Sequence, residues 1–575
     1  MAIDGTTAAE LLQRVALYCE LLGENPFKIR AYANASRIVK EMAPEDLATL
    51  IRGEGPKIPG IGKGMLADIQ ELFATDKLEL LETLQTQVPE GLLEILRIPG
   101  LGPRKVRTLW KELGITHPGE LEYACQENHL VTLSGFGPKS QHKILEGLLW
   151  RKWIAGWFLR SKMEDAGTLI TATLLNDSDA LQVEVAGEIR RSMEIVRGIT
   201  MVASMENPQK SLPPLAAKFP DATLDKNIIR LQLKDSIPAE IHAVTPDLFP
   251  LALWRLTGSK EHCRNVTAHA ADRGWDIGET ALRRNGEVIK PASEEELYNI
   301  LDLPWIPPAL READEHGPSV LPQEIPRLLR IDDLEGLLHV HTKWSDGAET
   351  LETMVGAAAE MGCSYIGITD HSQSAFYANG LTPDRLMRQA EEIEKLRKRY
   401  PKIEIWHGTE SDILSDGSLD FPDEVLKSLD FVIGSIHSQL HMDSEVMTRR
   451  LINAVNNPYM DILGHPTGRL LLARETSTPD MEAILKAAAE TGTIIEFNAN
   501  PYRQDLDWRW IPKARQLGVL ISVNPDAHNV SGLTHIDYGI NTSIKGRLGP
   551  EGTFNALKPE EARKRLKRYR MKVAH

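Results

Sequence analysis

Between residues 336 and 528, seven short apolar runs each lead into side chains of the kind that bind metals, and this pattern restricts the second half of the chain to a few folds. The runs are GLLHVHT (336–342) with Asp346 just beyond, YIGITDHS (365–372), IEIWHGTESD (403–412), FVIGSIHS (431–438), DILGHP (461–466), TIIEFNAN (493–500) and LISVNPDAH (520–528). Short β-branched-rich runs separated by helical stretches predict buried parallel strands, and this much alternation predicts a barrel or a doubly wound sheet. In barrels of that kind functional side chains gather at the C-terminal strand ends, where these His, Asp and Glu residues lie.

Spacing explains how the side chains can converge. His339 and His341 are two apart on an extended segment, as are Asp526 and His528, so strand alternation puts each pair on one side. With Asp346, His371, Glu410, His437 and His465 they make six imidazoles and three carboxylates, more than one ion takes. Two or three divalent metals are expected, and imidazole-rich, thiolate-free ligation favours Mn, Zn or Fe. Taken singly, an Asp or His near a strand end caps a helix or accepts a backbone hydrogen bond. Nine of them at successive strand ends have no such structural explanation.

HVHTKWSDG, TDHS, the Glu of GTESD, GSIHS, GHP and PDAH resemble, in order, the ligand motifs of the PHP (polymerase and histidinol phosphatase) domain. The resemblance covers about 332 to 545 and implies a distorted seven-stranded (β/α)7 barrel with a trinuclear centre. Carried over by position, it makes His339, His341, Glu410 and Asp526 ligands of the first metal, and Asp346, His371 and His528 ligands of the second. Glu410, His437 and His465 would hold the third, with Glu410 bridging and with Glu410, Asp526 and His339 the catalytic core.

At 575 residues the chain is too long for one core. It lacks an apolar stretch of membrane-spanning length and a signal-like start, which predicts a soluble, cytoplasmic protein with no membrane partner. Its four cysteines are scattered, with no C-x-x-C pair, so a cysteine zinc site is excluded. A net charge of −15 argues against a uniformly basic nucleic-acid binder but leaves room for local docking surfaces.

Such surfaces are suggested by an internal repeat. IPGIGKG (58–64), IPGLGPR (98–104) and LSGFGPK (133–139) share a Gly-x-Gly turn that leads into an amphipathic helix. The glycine pairs Gly60/Gly62, Gly100/Gly102 and Gly135/Gly137 allow tight turns that leave N–H groups facing outward, and Lys63, Arg104 and Lys139 follow them. The three turns resemble helix-hairpin-helix modules, which grip the DNA backbone without reading sequence. Lys28, Arg30, Tyr32 and Arg37 fall on an early helical stretch, for which a 5′-phosphate pocket is the expectation.

Order and content resemble the bacterial family X DNA polymerases. That resemblance implies a multidomain α and α/β chain: a helical hairpin domain (1–88), a fingers-like hairpin domain (89–155), a nucleotidyltransferase-like palm (156–245), a thumb (246–312), a linker (313–332) and the PHP domain (333–575). AGEIRRSMEIV (186–196), LTGSKEHCRNV (256–266) and WIPPALRE (305–312) carry it through the core. The palm departs from the family pattern. Two-metal nucleotidyl transfer needs clustered carboxylates, and the two aspartates of one palm strand are replaced here by Gly198 and Thr200, the third by Glu240. Glu188 stands where a serine meets the triphosphate, and repels phosphate unless a metal or Arg190 compensates. Asp68 occupies the position of the lyase lysine, so lyase chemistry is not expected.

The expected function is DNA repair: metal-dependent phosphoester hydrolysis by the PHP domain, as 3′–5′ exonuclease or 3′-end processing on gapped, nicked or recessed DNA. One alternative is Mn- or Mg-dependent gap filling with a deoxynucleoside triphosphate, through Glu194, Glu206 or Glu240, although Glu194 and Glu206 read more simply as surface charges. Another is a small-molecule phosphatase on a DNA-binding scaffold. The tail KPEEARKRLKRYRMK (558–572) reads as a last helix with a solvated charged face.

Overall fold

The computed structural model describes residues 4–54, 58–126, 129–219, 221–233, 237–312, 324–474, 478–567 and 569. Most of the expected linker and the last residues of the tail lie outside them. No helix among the described residues is long and apolar enough to cross a membrane. The chain divides into two compact units, Met1–Ala155 and Gly156–His575.

The first unit is helical and has one core, built from Leu12, Val15, Ile69, Leu92, Val106, Leu109 and neighbours. All three glycine turns form. Gly60, Gly100 and Gly135 take φ of +94°, +82° and +87°, values that side chains adopt at a cost. Gly62, Gly102 and Gly137 then cap the helices Lys63–Thr75, Pro103–Leu113 and Pro138–Ile154 in extended conformation. Apart from Gly60, where the side chain of Ile38 is close, a Cβ at any of these glycines would meet nothing within 4 Å, so the turns are open on their outer side.

The second unit holds separate cores. A five-stranded sheet runs in the order Gln182–Val185, Ile199–Ser204, Pro238–Val244, Ile228–Gln232, Thr223–Asp225, with only the second and third strands parallel. Its register sets Thr200 opposite Glu240. A small cluster around Trp254, Tyr298 and Leu297 follows, with a three-stranded antiparallel sheet over residues 276–289.

From residue 336 the strands are parallel and buried on both faces, as helix-covered strands must be. Gly336–Val340, Tyr365–Ile368 and Glu404–His407 form one sheet, and Glu410–Asp412, Ile433–Ser435, Ile462–Leu463, Ile494–Asn498 and Ile521–Asn524 form a second. The third apolar run is therefore split at Gly408 and Thr409. Parallel bridges His371↔Glu410 and Val340↔Ala527 join the two sheets at both ends.

Within this unit the palm is tied to the last domain by buried charges. The Arg469 guanidinium reaches Glu194 at 3.4 Å and Asp507 at 3.1 Å, and Lys545 Nζ donates to the Arg191 carbonyl at 2.9 Å. Glu194 is only 5% exposed, which corrects its reading as a surface charge, whereas Glu206 is exposed as expected. Of the tail, Pro559–Arg565 is helical, and Arg563 pairs with Glu404 at 2.8 Å.

Candidate metal centre

All nine expected side chains meet at one place. Glu410 lies in the middle: its Oε1 is 2.8 Å from His465 Nε2, 3.2 Å from His339 Nε2 and 3.3 Å from His437 Nε2. Its other oxygen is 2.8 Å from His371 Nδ1 and 3.6 Å from His341 Nε2. Asp526 Oδ1 approaches His341 at 3.4 Å and His339 at 3.6 Å, while Asp346 Oδ2 approaches His528 at 3.4 Å and His371 at 3.5 Å. Four overlapping sets arise, each with donor atoms within 4.8 Å of one another: His341/Asp346/His371/His528, His339/Glu410/His465, His339/His341/Asp526 and His371/Glu410/His437.

Strand alternation alone does not produce this convergence. The register slips between Leu337 and Val340, and His339 takes φ +60°. His465 and Asp526 also have positive φ, at +22° and +50°. Left-handed backbone at non-glycine residues costs of order 1–3 kcal/mol each and persists where packing over-determines it. Three such residues among nine mark where the backbone bends to aim side chains at a common point. The grouping also differs from the one carried over by resemblance, because His339, His341 and His371 each belong to two sets.

The donor set fits divalent cations. Buried polar groups normally find partners, yet His339 Nε2, both nitrogens of His341, His371 Nδ1 and His465 Nδ1 are buried without a hydrogen bond among the described residues. Burial, with His528 and His371 nearby, pushes His341 down to about 3, leaving it a neutral donor. Burial alone would raise Glu410, but His437, His339 and His371 hold it well below the usual carboxylate range; the neighbouring His339 and His341 do the same for Asp526. Burial opposes charge on His371 too, yet Glu410 and Asp346 raise it to about 10. The ionised carboxylates thus draw protons onto imidazoles in the place of cations, and metal binding at such a site releases those protons.

Two residues that sequence reasoning missed hold the imidazoles. Glu496 Oε1 is 2.6 Å from His339 Nδ1, and its Oε2 accepts the backbone N–H of His465 at 2.7 Å. Asp412 Oδ1 is 2.6 Å from His437 Nδ1. Such carboxylate–imidazole pairs fix ring orientation and basicity at metal sites. Glu496 left one trace in the sequence, a carboxylate inside the apolar run TIIEFNAN, and it is fully buried.

The palm forms no comparable cluster among the described residues. A cavity of about 660 Å³ remains there, bounded by Glu188, Arg197, Gly198, Thr200, Glu240 and Lys260. Its two carboxylates, Glu188 and Glu240, are already engaged. Glu240 pairs with Arg230 at 2.9 Å and lies 3.3 Å from His242, and Glu188 accepts the Arg197 N–H at 2.7 Å. Arg190 does not compensate Glu188; it turns to Glu294 at 2.7 Å and to Thr257. A Cβ at Gly198 would stand 2.5 Å from the Pro238 carbonyl oxygen, so the neighbouring strand has closed over the position.

In the first unit, Arg30, Arg104, Arg107 and Thr108 line a cavity of about 570 Å³ with Glu20 and Glu24. The four residues expected to hold a 5′-phosphate have separate partners. Lys28 pairs with Glu24, Arg37 pairs with Glu41, and Tyr32 is buried and donates to Asp68. Of the four early residues only Arg30 faces the cavity, and Arg107, which had not been singled out, joins it.

Comparison with known proteins agrees with this layout. The Helix-hairpin-helix domain model matches residues 6–78, the SAM-like Helix-hairpin-helix tandem 92–148, the DNA polymerase beta thumb 252–312 and the PHP domain 338–500. Over 571 residues the chain is 34% identical to the DNA polymerase/3′-5′ exonuclease PolX of Bacillus subtilis, covering 97% of this chain and 98% of that protein. The chain belongs to the PolX family. It is thus a PolX with a C-terminal PHP domain, a metal-dependent hydrolase domain. The PHP part of this family member is also similar to a probable phosphatase of Caldanaerobacter subterraneus, 31% identical over 213 residues, 33% of this chain and 76% of that protein.

Proposed function

We propose that this PolX is a DNA-repair enzyme whose PHP domain hydrolyses phosphodiester bonds from 3′ ends, while the palm serves as a DNA-binding body without templated synthesis. The observation that carries the reading is the contrast between nine converging donors at the PHP centre and a palm whose counterpart positions are occupied or filled. The nine residues are the proposed ligands, with Glu410 bridging. Divalent cations bound there would supply the Lewis-acid charge that activates water and offsets the phosphoryl oxygens. Around them, Glu496 and Asp412 hold His339 and His437 in the orientation that presents the opposite ring nitrogen to the centre.

Affinity for gapped, nicked or recessed DNA is assigned to the three hairpins, whose open turns and following Lys63, Arg104 and Lys139 suit backbone phosphates. Arg104 is 92% exposed and bound only loosely, 3.5 Å from Glu20. Replacing the three cations with alanine should flatten the salt dependence of duplex-end binding by up to about 0.9 per lost phosphate contact. Fluorescence anisotropy across a salt series checks this, and an unchanged slope would contradict it. Likeness of the PHP part to probable phosphatases favours phosphomonoesters at 3′ ends as second substrates of the same centre.

A further inference from the structure

Two large aromatic side chains stand in solvent beside the candidate metal centre. Phe376 and Tyr377, on the 3-10 turn Phe376–Ala378, are 89% and 72% exposed, while Ala375 and Ala378 on either side are buried. The turn is held at both ends. Ser374 donates through its N–H and its hydroxyl to Asp420 at 2.7 and 2.5 Å, and Arg385 donates to the carbonyls of Asn379 and Gly380 at 2.8 and 3.1 Å. At Gly380 a Cβ would lie 1.9 Å from the Ser372 carbonyl oxygen, so the chain closes tightly behind the turn. Rings on so fixed a base gain nothing for the core, and their exposure in water needs another explanation.

Their position suggests one. The Tyr377 ring centroid is 6.3 Å from that of His371 and 6.4 Å from that of His437, both in the donor cluster. His437 also walls a cavity of about 430 Å³ with Gln439, Leu440 and Met442, so open space adjoins the centre on this side. A nucleotide whose phosphate sat at the cluster would place its base within reach of the exposed rings. Every base presents a π-face, so stacking there would be independent of sequence, as an enzyme acting on any DNA end requires.

We propose that Phe376 and Tyr377 form a stacking platform for the unpaired base next to the scissile phosphate, a specificity element that separates DNA ends from small phosphate esters. The proposal rests on the hydrolase reading above and adds its substrate contact. A platform fixed before binding loses little freedom when the base arrives.

The test compares the full chain with the double variant Phe376→Ala/Tyr377→Ala in manganese. Two substrates are used, a single-stranded oligonucleotide and the small diester bis(p-nitrophenyl) phosphate. The ratio of kcat/KM for the oligonucleotide to that for the small diester should fall about ten-fold or more, mainly through KM, and Tyr377→Trp should keep the parent ratio. In parallel, the fluorescence of a 3′-terminal 2-aminopurine should be quenched on binding to the parent and not to the double variant. An unchanged ratio with equal quenching, or a fall shared by both substrates, would overturn the platform. If the parent cleaved neither substrate, the hydrolase reading would fail on its own, and the 2-aminopurine signal would still decide the stacking.

Discussion

The PHP centre and the palm are the two places where the family resemblance leads one to expect metals held against phosphate, and in this chain they differ. At the centre, carboxylates sit among imidazoles, and among the described residues Arg503, 3.4 Å from Asp526, is the one cationic side chain paired with a donor carboxylate. In the palm, the carboxylates at the corresponding place already have protein partners: Glu240 has Arg230 and Glu188 takes a backbone N–H, while Arg190 is held by Glu294. The difference teaches what a working metal site must leave undone. Buried donors without hydrogen bonds cost stability unless a ligand satisfies them, so their persistence at the PHP centre argues for a ligand. The residues described around the palm cavity have no such orphaned donors.

The largest effect that can break this comparison is at Glu410. Glu410→Gln removes the charge shared by five imidazoles and should lower the single-turnover rate of DNA cleavage by at least about 10³, roughly the scale of losing one preorganised electrostatic group, with little change in DNA affinity. A rate within ten-fold of the parent would move the chemistry elsewhere. Glu496→Gln sharpens the same side. It weakens the hold on His339 and should reduce manganese affinity about 10- to 100-fold, read from the metal dependence of cleavage. An unaltered metal dependence would make Glu496 a packing residue only.

The smallest expected effect probes the palm. Gly198→Asp, a step toward the family's carboxylate pattern, must push the Pro238 carbonyl aside and should cost about 1–3 kcal/mol in urea denaturation without conferring primer extension. A neutral substitution that enabled extension would show that the palm had lost only side chains and not its shape.

Much of this was legible in the sequence because metal donors are polar residues placed where apolar strands end. All nine donor positions at the PHP centre could be read in that way, as could the three hairpins from their paired glycines. What alternation could not supply is the positive φ at His339, His465 and Asp526, since left-handed backbone at those residue types is imposed by packing and not by local preference. Pairing between distant residues was equally out of reach. Glu194 looked like a surface charge because its partner Arg469 lies 275 positions away, and Tyr32 looked available for phosphate because nothing nearby pointed to Asp68. The engagement of Arg190 was hidden for the same reason, its partner Glu294 being 104 positions along the chain.

The central claim, that this PolX cuts DNA with its PHP centre and does not synthesise with its palm, is tested most directly on a labelled gapped duplex with manganese and all four deoxynucleoside triphosphates. Parent protein and Glu410→Gln are followed side by side on a sequencing gel. The account predicts that the primer shortens with the parent and keeps its length with the variant. Lengthening by Glu410→Gln would contradict it, because a palm unmasked from degradation would then be a working polymerase.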